Sequence, residues 1–180
     1  YSDDATAVAD LVPRLAAVGV AGINLEDGAS PPEQLCAKIE RIHSQCAQRG
    51  TPVFINARTD VYLRGLAPPQ QRAEATLSRA ARYRDAGANG LFVPGLAGSD
   101  EIAAIARDAG LPLNVLLRPQ LPDTAELAAL GVRRLSAGSD LAECCFGLTR
   151  DLAQRFLREG RLDRSIAMEY SDLNALFAGA

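Results

Sequence analysis

Two hydrophobic patterns alternate along the chain. In the first, apolar residues recur every three or four positions, which predicts amphipathic helices; these segments are 5–18, 32–49, 70–86, 99–109 and 123–130. In the second, apolar residues follow one another with few interruptions, which is typical of strands buried on both faces; these segments are 20–25, 52–56, 90–93, 112–116 and 132–135. Ser99 and Asp123 are predicted helix N-caps. Helices that alternate with buried strands predict parallel βα units.

The glycines that follow the helices limit the architecture. Such glycines accept the left-handed backbone that ends a helix, and they are 31, 37, 23 and 21 residues apart, at Gly19, Gly50, Gly87, Gly110 and Gly131. Each interval suits a strand, a helix and two short loops. A (β/α)8 barrel uses about 250 residues for eight such units, whereas this chain has five strands and starts with a helix. Two architectures stay open: a (β/α)8 barrel that lacks its first three strands, and a five-stranded open α/β sheet.

The end of the chain is predicted to be helical. Segments 140–159 and 164–177 have helical periodicity, with no strand between them. The final helix has no strand of its own to cover, so we expect it to pack on a partner subunit. Residues 1–180 are therefore interpreted as one partial barrel domain, in which residues 160–180 form a C-terminal helical extension.

Composition narrows the class of protein. The 180 residues are 48% hydrophobic, and no apolar run reaches the length of a membrane helix. The net charge of −3 argues against binding to a nucleic-acid backbone, which requires a basic face. The four cysteines lack zinc-site spacing, and the first twelve residues, with three Asp and no basic cluster, do not resemble a secretory signal. We expect a cytoplasmic protein with buried, reduced cysteines and neither a membrane nor a nucleic-acid partner.

Scarce residues limit the chemistry further. Lys38 is the only lysine and His43 the only histidine, and both fall within the predicted helix 32–49. Schiff-base catalysis needs a lysine in a pocket, and Ser-His or Cys-His catalysis needs a histidine beside the nucleophile. Catalysis by this chain would therefore depend on Asp, Glu, Arg, hydroxyl and backbone groups.

Candidate functional residues lie at the carboxyl ends of the strands, where parallel α/β folds bind ligands. Glu26 and Asp27 end the first strand, and strand alternation sends them to opposite faces. Either Glu26 holds a hard cation such as Mg²⁺, or one of the two carboxylates caps a helix while the other pairs with an arginine. Arg58 ends the second strand. It either binds a carboxylate or a developing oxyanion, or it pairs with Asp60 or Glu26 and only joins the loops.

A second candidate site follows the last strand. Ser136, Ala137, Gly138 and Ser139 open a helix there, at a place where barrels bind phosphate through backbone N–H groups. Small residues are also what a tight strand-to-helix turn requires. A non-catalytic, phosphate-binding barrel is therefore the alternative from another functional class.

Three segments resemble the isocitrate lyase/phosphoenolpyruvate mutase superfamily. They are AVGVAGINLEDG at 17–28, INARTDVYL at 55–63 and DAGANGLFVPG at 85–95. In order and spacing they resemble that family's fourth, fifth and sixth barrel strands, and PLNVL at 112–116 and GVRRLSAGS at 131–139 resemble the seventh and eighth. LED and NARTD together at this spacing are fairly specific, whereas neither motif alone is. The resemblance covers nearly the whole chain.

This resemblance implies a (β/α)8 TIM barrel of the phosphoenolpyruvate mutase type, present as its last five units, whose C-terminal helix exchanges between subunits of a homodimer or homotetramer. It implies Mg²⁺ or Mn²⁺ and a small 2-oxo acid or hydroxycarboxylate that reacts through an enolate. Glu26 and Arg58 are the implied catalytic residues: Glu26 holds the metal through water, and Arg58 contacts the substrate's carboxylate or oxyanion. Asn114 is a further predicted substrate-binding residue. The segment from Tyr1 to Asp4 resembles the end of a turn that follows the family's metal-binding aspartates, so those ligands are expected just before Tyr1.

Two positions depart from the family pattern. After the fourth-strand carboxylates the lyases carry a loop of the Lys-Lys-Cys-Gly-His type, whereas this chain has Gly-Ala-Ser-Pro-Pro at 28–32. The mutases have Lys and Asn in that loop, and they tend to have His where this chain has Pro94. The resemblance therefore implies enolate chemistry, with C–C bond cleavage as its broadest version. It leaves open phosphonomutase chemistry, decarboxylation or hydrolysis of an oxaloacetate-like acid, and a 2-oxo-acid-binding protein without turnover.

Overall fold

The computed structural model describes residues 2–178. The strands are β1 (Gly22–Glu26), β2 (Phe54–Arg58), β3 (Gly90–Val93), β4 (Leu113–Leu116) and β5 (Val132–Ser136). The helices are α1 (Ala5–Ala17), α2 (Pro32–Arg49), α3 (Val61–Arg64), α4 (Arg72–Asp85), α5 (Ser99–Asp108), α6 (Thr124–Ala129), α7 (Asp140–Glu159) and α8 (Tyr170–Ala175), and a 3-10 helix spans Pro69–Gln71. The chain divides into two compact units, the first ending at Ala137 and the second starting at Gly138. Within residues 2–178 no helix is both long and apolar enough to cross a membrane.

The five strands form one parallel sheet in the order β1-β2-β3-β4-β5. Each strand therefore pairs with the next strand along the chain, and at least one helix connects every pair. A (β/α)8 barrel has this sequential order, whereas a doubly wound sheet reverses its order at a switch point. The predicted succession of parallel βα units is confirmed. The strand bounds differ from the predicted ones by one or two residues at most ends.

The two faces of the sheet have different surroundings. Residues that face the helices are buried: Ile23, Leu25, Ile55, Ala57, Leu91, Val93, Leu113 and Val115. They share one hydrophobic core with Ile39 and Ile42 of α2. No described helix of the first unit covers the opposite face, so β1 alternates between exposed and buried residues. In β5, which is an edge strand, residues 133–135 are exposed on both faces. The prediction that the strands are buried on both faces was therefore wrong for β1 and β5.

Local sequence sets several helix ends. Gly50 ends α2 with φ of 64°, a left-handed conformation that a residue with a Cβ adopts at a cost. Asp123 caps α6 as predicted, since its carboxylate accepts hydrogen bonds from two backbone N–H groups of that helix. Ser99 is not the cap of α5, because the cap is Gly98 and Ser99 is already helical.

The second unit contains α7 and α8. Segment 140–159 is helical as predicted, but the predicted helix 164–177 was wrong over its first half, because α8 begins only at Tyr170. The carboxylate of Asp163 accepts a hydrogen bond from the Ser165 N–H at 2.9 Å, and Glu169 is extended, with φ −66° and ψ 150°. The chain therefore turns and extends before it becomes helical.

Both helices of the second unit expose apolar side chains. No residue of α7 or α8 is buried, and their exposed apolar residues include Leu141, Phe146, Phe156, Leu157, Tyr170 and Leu173. Cys144 and Cys145 of α7 are exposed too. The prediction of buried thiols was therefore wrong for these two, while Cys46 is buried and Cys36 is half-buried. Exchange of this segment between subunits stays a prediction.

Candidate active site

One row of side chains crosses the sheet on the face that points away from the helices. The register pairs Glu26 of β1 with Arg58 of β2, and Arg58 with Phe92 of β3. Phe92 pairs in turn with Asn114 of β4, and Asn114 with Arg134 of β5. Paired residues of neighbouring strands point to the same face of a sheet. Glu26 and Arg58 are therefore neighbours, whereas Asn114 lies two strands, roughly 10 Å, from Arg58.

Arg58 is contacted from three directions. Its Nη1 lies 3.0 Å from Oε2 of Glu26, while Nε and Nη2 donate to the two carboxylate oxygens of Asp60 at 2.8 and 3.3 Å. Its Cζ lies 5.8 Å from the centre of the Phe92 ring, within the range of a cation–π interaction. Burial opposes the positive charge, but the hydrogen bond and charge of Asp60 and the charge of Glu26 outweigh it and raise the pKa of Arg58. Arg58 is therefore a fixed cation.

Glu26 and Arg58 line the same cavity, of about 760 Å³. The side chain of Glu26 is 54% exposed and that of Arg58 is 25% exposed. Asn24 and Phe92 belong to the same wall, together with the loop of residues 28–30. The structure thus brings two of the three predicted site residues together at an opening large enough for a small carboxylic acid.

Asp27 follows Glu26 in the chain but is buried on the other side of the strand end. Its Oδ2 accepts hydrogen bonds from the hydroxyl of Tyr83 and from Nη1 of Arg79, both at 2.6 Å. Its Oδ1 accepts a hydrogen bond from the backbone N–H of Asp60 at 2.9 Å. Glu26 and Asp27 therefore point to different surroundings, as strand alternation predicts. Asp27 connects the loop after β1 to the loop after β2 and to α4.

The buried carboxylate of Asp60 also binds a second arginine, since Nε of Arg64 donates to it at 2.9 Å. The sequence indicates Asp60 only as an alternative partner of Arg58, and it predicts no role for Arg79 or Tyr83. These two residues lie 52 and 56 positions beyond Asp27. The one signal in the sequence is their i,i+4 spacing, which places them on one face of α4.

Asn114 is buried and pairs with the next strand. Its side-chain amide lies 3.1 Å from the hydroxyl of Ser136 in β5. A similar pair joins the first two strands, where Nδ2 of Asn56 donates to Oδ1 of Asn24 at 2.8 Å. Among residues 2–178 neither Glu26 nor Arg58 is a hydrogen-bond partner of Asn114. Asn114, the third predicted site residue, therefore lies on the same face of the sheet as Glu26 and Arg58 but does not contact their ion pair.

The chain matches a family profile described as phosphoenolpyruvate phosphomutase over residues 1–157. It belongs to the phosphoenolpyruvate phosphomutase family. It is 42% identical over 145 residues to an uncharacterised protein of Mycobacterium tuberculosis (strain ATCC 25618 / H37Rv). This match covers 77% of this chain and 51% of that protein. It is 30% identical over 139 residues to the oxaloacetate decarboxylase of Pseudomonas fluorescens (strain SBW25). This match covers 71% of this chain and 46% of that enzyme. The chain thus spans about half the length of these curated relatives.

Solved structures share the fold. A provisionally named lyase/mutase from Burkholderia cenocepacia J2315 matches with a TM-score of 0.84 and 34% identity, over 99% of this chain and 66% of that chain. Phosphonopyruvate hydrolase, solved in complex with oxalate and Mg²⁺, matches with a TM-score of 0.77 and 24% identity, over 97% of this chain and 64% of that chain. The 2,3-dimethylmalate lyase, a member of the PEP mutase/isocitrate lyase superfamily, matches with a TM-score of 0.78 and 20% identity, over 96% of this chain and 62% of that chain. The resemblance and the barrel fold class are therefore confirmed.

The phosphate site proposed as an alternative gains no support from the second unit. The hydroxyl of Ser139 hydrogen-bonds to the carboxylate of Glu143. The first turn of α7 carries Asp140 as well. Two carboxylates at a helix N-terminus already occupy its positive end and repel a phosphate.

The described residues supply only part of a metal site. Within residues 2–178 no three His, Cys, Asp or Glu side chains lie close enough together to hold a metal ion. Glu26 is a carboxylate at the cavity wall, and it is paired with Arg58. This fits a contribution to the shell of a hydrated cation, but not a complete site. Asp4 caps α1, and Tyr1, the first residue of the segment predicted to end the turn, lies outside the described residues.

Proposed function

We propose that this chain belongs to a Mg²⁺- or Mn²⁺-dependent enzyme that cleaves a C–C bond in a small 2-oxo acid through an enolate. The substrate class is an oxaloacetate-like dicarboxylate. The observation that carries the proposal is the 3.0 Å contact between Glu26 and Arg58 at one cavity, at the carboxyl ends of adjacent parallel strands. A fixed cation beside a partly exposed carboxylate suits a site that handles both a metal ion and an oxyanion.

The hydrogen bonds of Arg58 leave donors for a substrate. A guanidinium has five N–H groups. Two of them, on Nε and Nη2, donate to Asp60, and Nη1 lies 3.0 Å from Oε2 of Glu26 in an ion pair. Each terminal nitrogen therefore keeps at least one N–H outside these contacts, and this pair matches a carboxylate or a carboxylate-plus-enolate edge. Because its contacts with Asp60 and Glu26 are already made, Arg58 needs little reorganisation when the substrate binds.

Cleavage of oxaloacetate illustrates the role of each residue. The bond between C3 and C4 breaks, its electron pair moves toward the C2 oxygen, and CO2 and the enolate of pyruvate form. Arg58 would stabilise the negative charge that develops on the C2 oxygen, and Glu26 would help to hold the metal ion. Asn114 is buried, bonded to Ser136 and not part of the cavity lining, so no contact with this substrate is assigned to it. Water then donates a proton to C3, which gives pyruvate and hydroxide. When bound, the metal ion would supply Lewis-acid polarisation of the 2-oxo group, and its principal aspartate ligands would lie before Tyr1.

The loop after β1 favours decarboxylation over the other C–C cleavages. Residues 28–32 contain no ionisable side chain, so this loop offers no acid for a departing carbon group. Loss of CO2 requires none. The 30% identity to an oxaloacetate decarboxylase supports the same choice. A phosphonopyruvate-like substrate is the second candidate, because it too would react through an enolate. A provisionally named phosphonomutase from Burkholderia cenocepacia J2315, which is 33% identical with a TM-score of 0.79, supports this candidate.

The cellular setting belongs to the same proposal. We place the enzyme in the cytoplasm, without a nucleic-acid or membrane partner, as a homodimer or homotetramer. Support for the oligomer comes from the exposed apolar side chains of α7 and α8, because large exposed apolar surfaces mark interaction sites. Residues 160–180 would exchange between subunits.

The test is a turnover assay with the purified full-length protein. Pyruvate released from oxaloacetate is measured with Mg²⁺, with Mn²⁺ and after chelation, beside phosphonopyruvate and a 2-hydroxy tricarboxylate as competing substrates. We expect metal-dependent release of pyruvate that Arg58→Ala reduces about a hundredfold or more. The matched control is Arg107→Ala, which removes an exposed arginine paired with Asp108 and leaves the rate unchanged. Absence of metal-dependent turnover or binding across these acids would contradict the proposal.

A further inference from the structure

Asp60 and Asp27 form a buried connection between Arg58 and helix α4. We propose that Asp60 positions Arg58 for oxyanion binding, and that Tyr83 and Arg79 fix Asp60 through Asp27. This inference rests on the proposed function, because it assigns Arg58 to the oxyanion. It adds residues that touch neither substrate nor metal and act only through Arg58.

The carboxylate of Asp60 sets the orientation of the guanidinium. Its side chain is fully buried, and its two oxygens accept from Nε and Nη2 of Arg58 at 2.8 and 3.3 Å. Two bonds to one edge of a planar group fix both its direction and its tilt. The opposite edge is then turned toward Glu26 and the cavity. A single bond from Glu26 would fix the distance but not the plane.

Asp60 is itself held from behind. Its backbone N–H donates to Oδ1 of Asp27 at 2.9 Å, and the other oxygen of Asp27 is held by Tyr83 and Arg79 at 2.6 Å each. Tyr83 is completely buried. Side chains of α4 thus determine where Asp27 sits, Asp27 determines where the backbone of Asp60 sits, and Asp60 orients Arg58.

The charges within this cluster balance. Glu26, Asp27 and Asp60 contribute three carboxylates, and Arg58, Arg64 and Arg79 contribute three guanidinium groups. Buried carboxylates that are fully paired and hydrogen-bonded hold their partners rigidly, whereas removal of one partner leaves the others mobile or uncompensated. Arg64 differs from Arg58 because its side chain is 52% exposed and the cavity residues do not include it.

The experiment compares variants of the full-length protein by kcat and KM for oxaloacetate, by the Kd for oxalate in the presence of Mg²⁺, and by melting temperature. Oxalate is the probe because it is a stable, planar mimic of the pyruvate enolate. We expect Asp60→Asn to lower kcat and weaken oxalate binding, each about tenfold to a hundredfold, with little change in KM. Asp60→Glu restores part of the loss, and the control Arg107→Ala, which changes an exposed arginine outside this cluster, stays within about twofold of the wild type.

Tyr83→Phe keeps the inference testable if Asp60→Asn fails to fold, because it removes one hydrogen bond without removing a charge. We expect kcat to fall about threefold to tenfold with KM unchanged. A Tyr83→Phe or Asp60→Asn enzyme with a lower melting temperature but wild-type kcat and oxalate affinity would show a purely structural role and overturn the inference. If Arg58→Ala is impaired while both of these variants are not, the positioning role alone fails. If wild type and Arg58→Ala are equally inactive, the proposed function fails and the inference falls with it.

Discussion

Asp27→Ala is expected to be the most destabilising single change to a carboxylate in the first unit. Asp27 has a completely buried side chain and accepts three hydrogen bonds, from Tyr83, Arg79 and the backbone of Asp60. Its removal leaves Arg79, whose side chain is only 18% exposed, without its carboxylate partner. It also leaves a buried hydroxyl and a buried N–H without their acceptors.

The size of the effect follows from these losses. Breaking a buried ion pair by removing one partner costs about 3–5 kcal/mol, and an unsatisfied buried donor costs about 1–3 kcal/mol. The two costs overlap because both arise from the loss of one carboxylate. We therefore expect the free energy of unfolding to fall by about 4 kcal/mol. Asp27→Asn keeps one acceptor oxygen for the N–H of Asp60, but it removes the charge and turns an NH2 donor toward Tyr83 and Arg79. It should therefore still destabilise the fold, by less than Asp27→Ala.

Urea denaturation followed by far-UV circular dichroism measures this change. The midpoint should fall while the denaturant slope stays constant, since the same surface is exposed on unfolding. The control is Asp108→Ala, which removes an exposed carboxylate paired with the neighbouring Arg107 and should leave the midpoint unchanged. A loss below about 1 kcal/mol for Asp27→Ala would refute the view that this carboxylate holds the strand ends together.

Two further predictions concern Tyr83 and Gly95. Burial, and then the hydrogen bond to Asp27, raise the pKa of Tyr83, so its contribution to stability is complete below about pH 10, the ordinary tyrosine pKa, and is lost as the pH rises above it. The gap in melting temperature between wild type and Tyr83→Phe should therefore narrow above that pH, and a constant gap would contradict this. Gly95 has φ of 88°, and an added Cβ would meet the Leu63 backbone at 3.0 Å. Gly95→Ala should therefore lower the free energy of unfolding by about 1–3 kcal/mol more than Gly28→Ala, which meets only open space, and equal losses would contradict the clash.

The arrangement of the strands was predictable because it depends on local signals. Glycines after helices and short apolar runs mark each βα unit, and consecutive parallel units place Glu26 beside Arg58 in register. The exposed face of β1 was not predictable from its apolar run, because the pattern of residues 20–25 does not show which face the helices cover. The start of α8 was also misjudged, since Asp163 and Ser165 form a turn that helical periodicity conceals.

The supporting residues of the site were harder to predict than its centre. Glu26 and Arg58 lie at the carboxyl ends of strands, where barrels of this kind bind their ligands. Arg79 and Tyr83 lie within α4, where a polar residue is normally part of a solvated face. Only the folded chain shows that α4 presents this face to Asp27 across more than fifty residues of sequence.

A crystal structure of the full-length protein with Mg²⁺ and oxalate tests the central claim most directly. We predict an oxalate oxygen at about 3 Å from a terminal nitrogen of Arg58, and a metal-bound water within hydrogen-bond distance of Glu26, in the cavity that both residues line. Oxalate bound elsewhere, or a metal ion whose shell excludes Glu26 while Arg58 faces away from the ligand, would contradict the claim that the two side chains serve one bound 2-oxo acid.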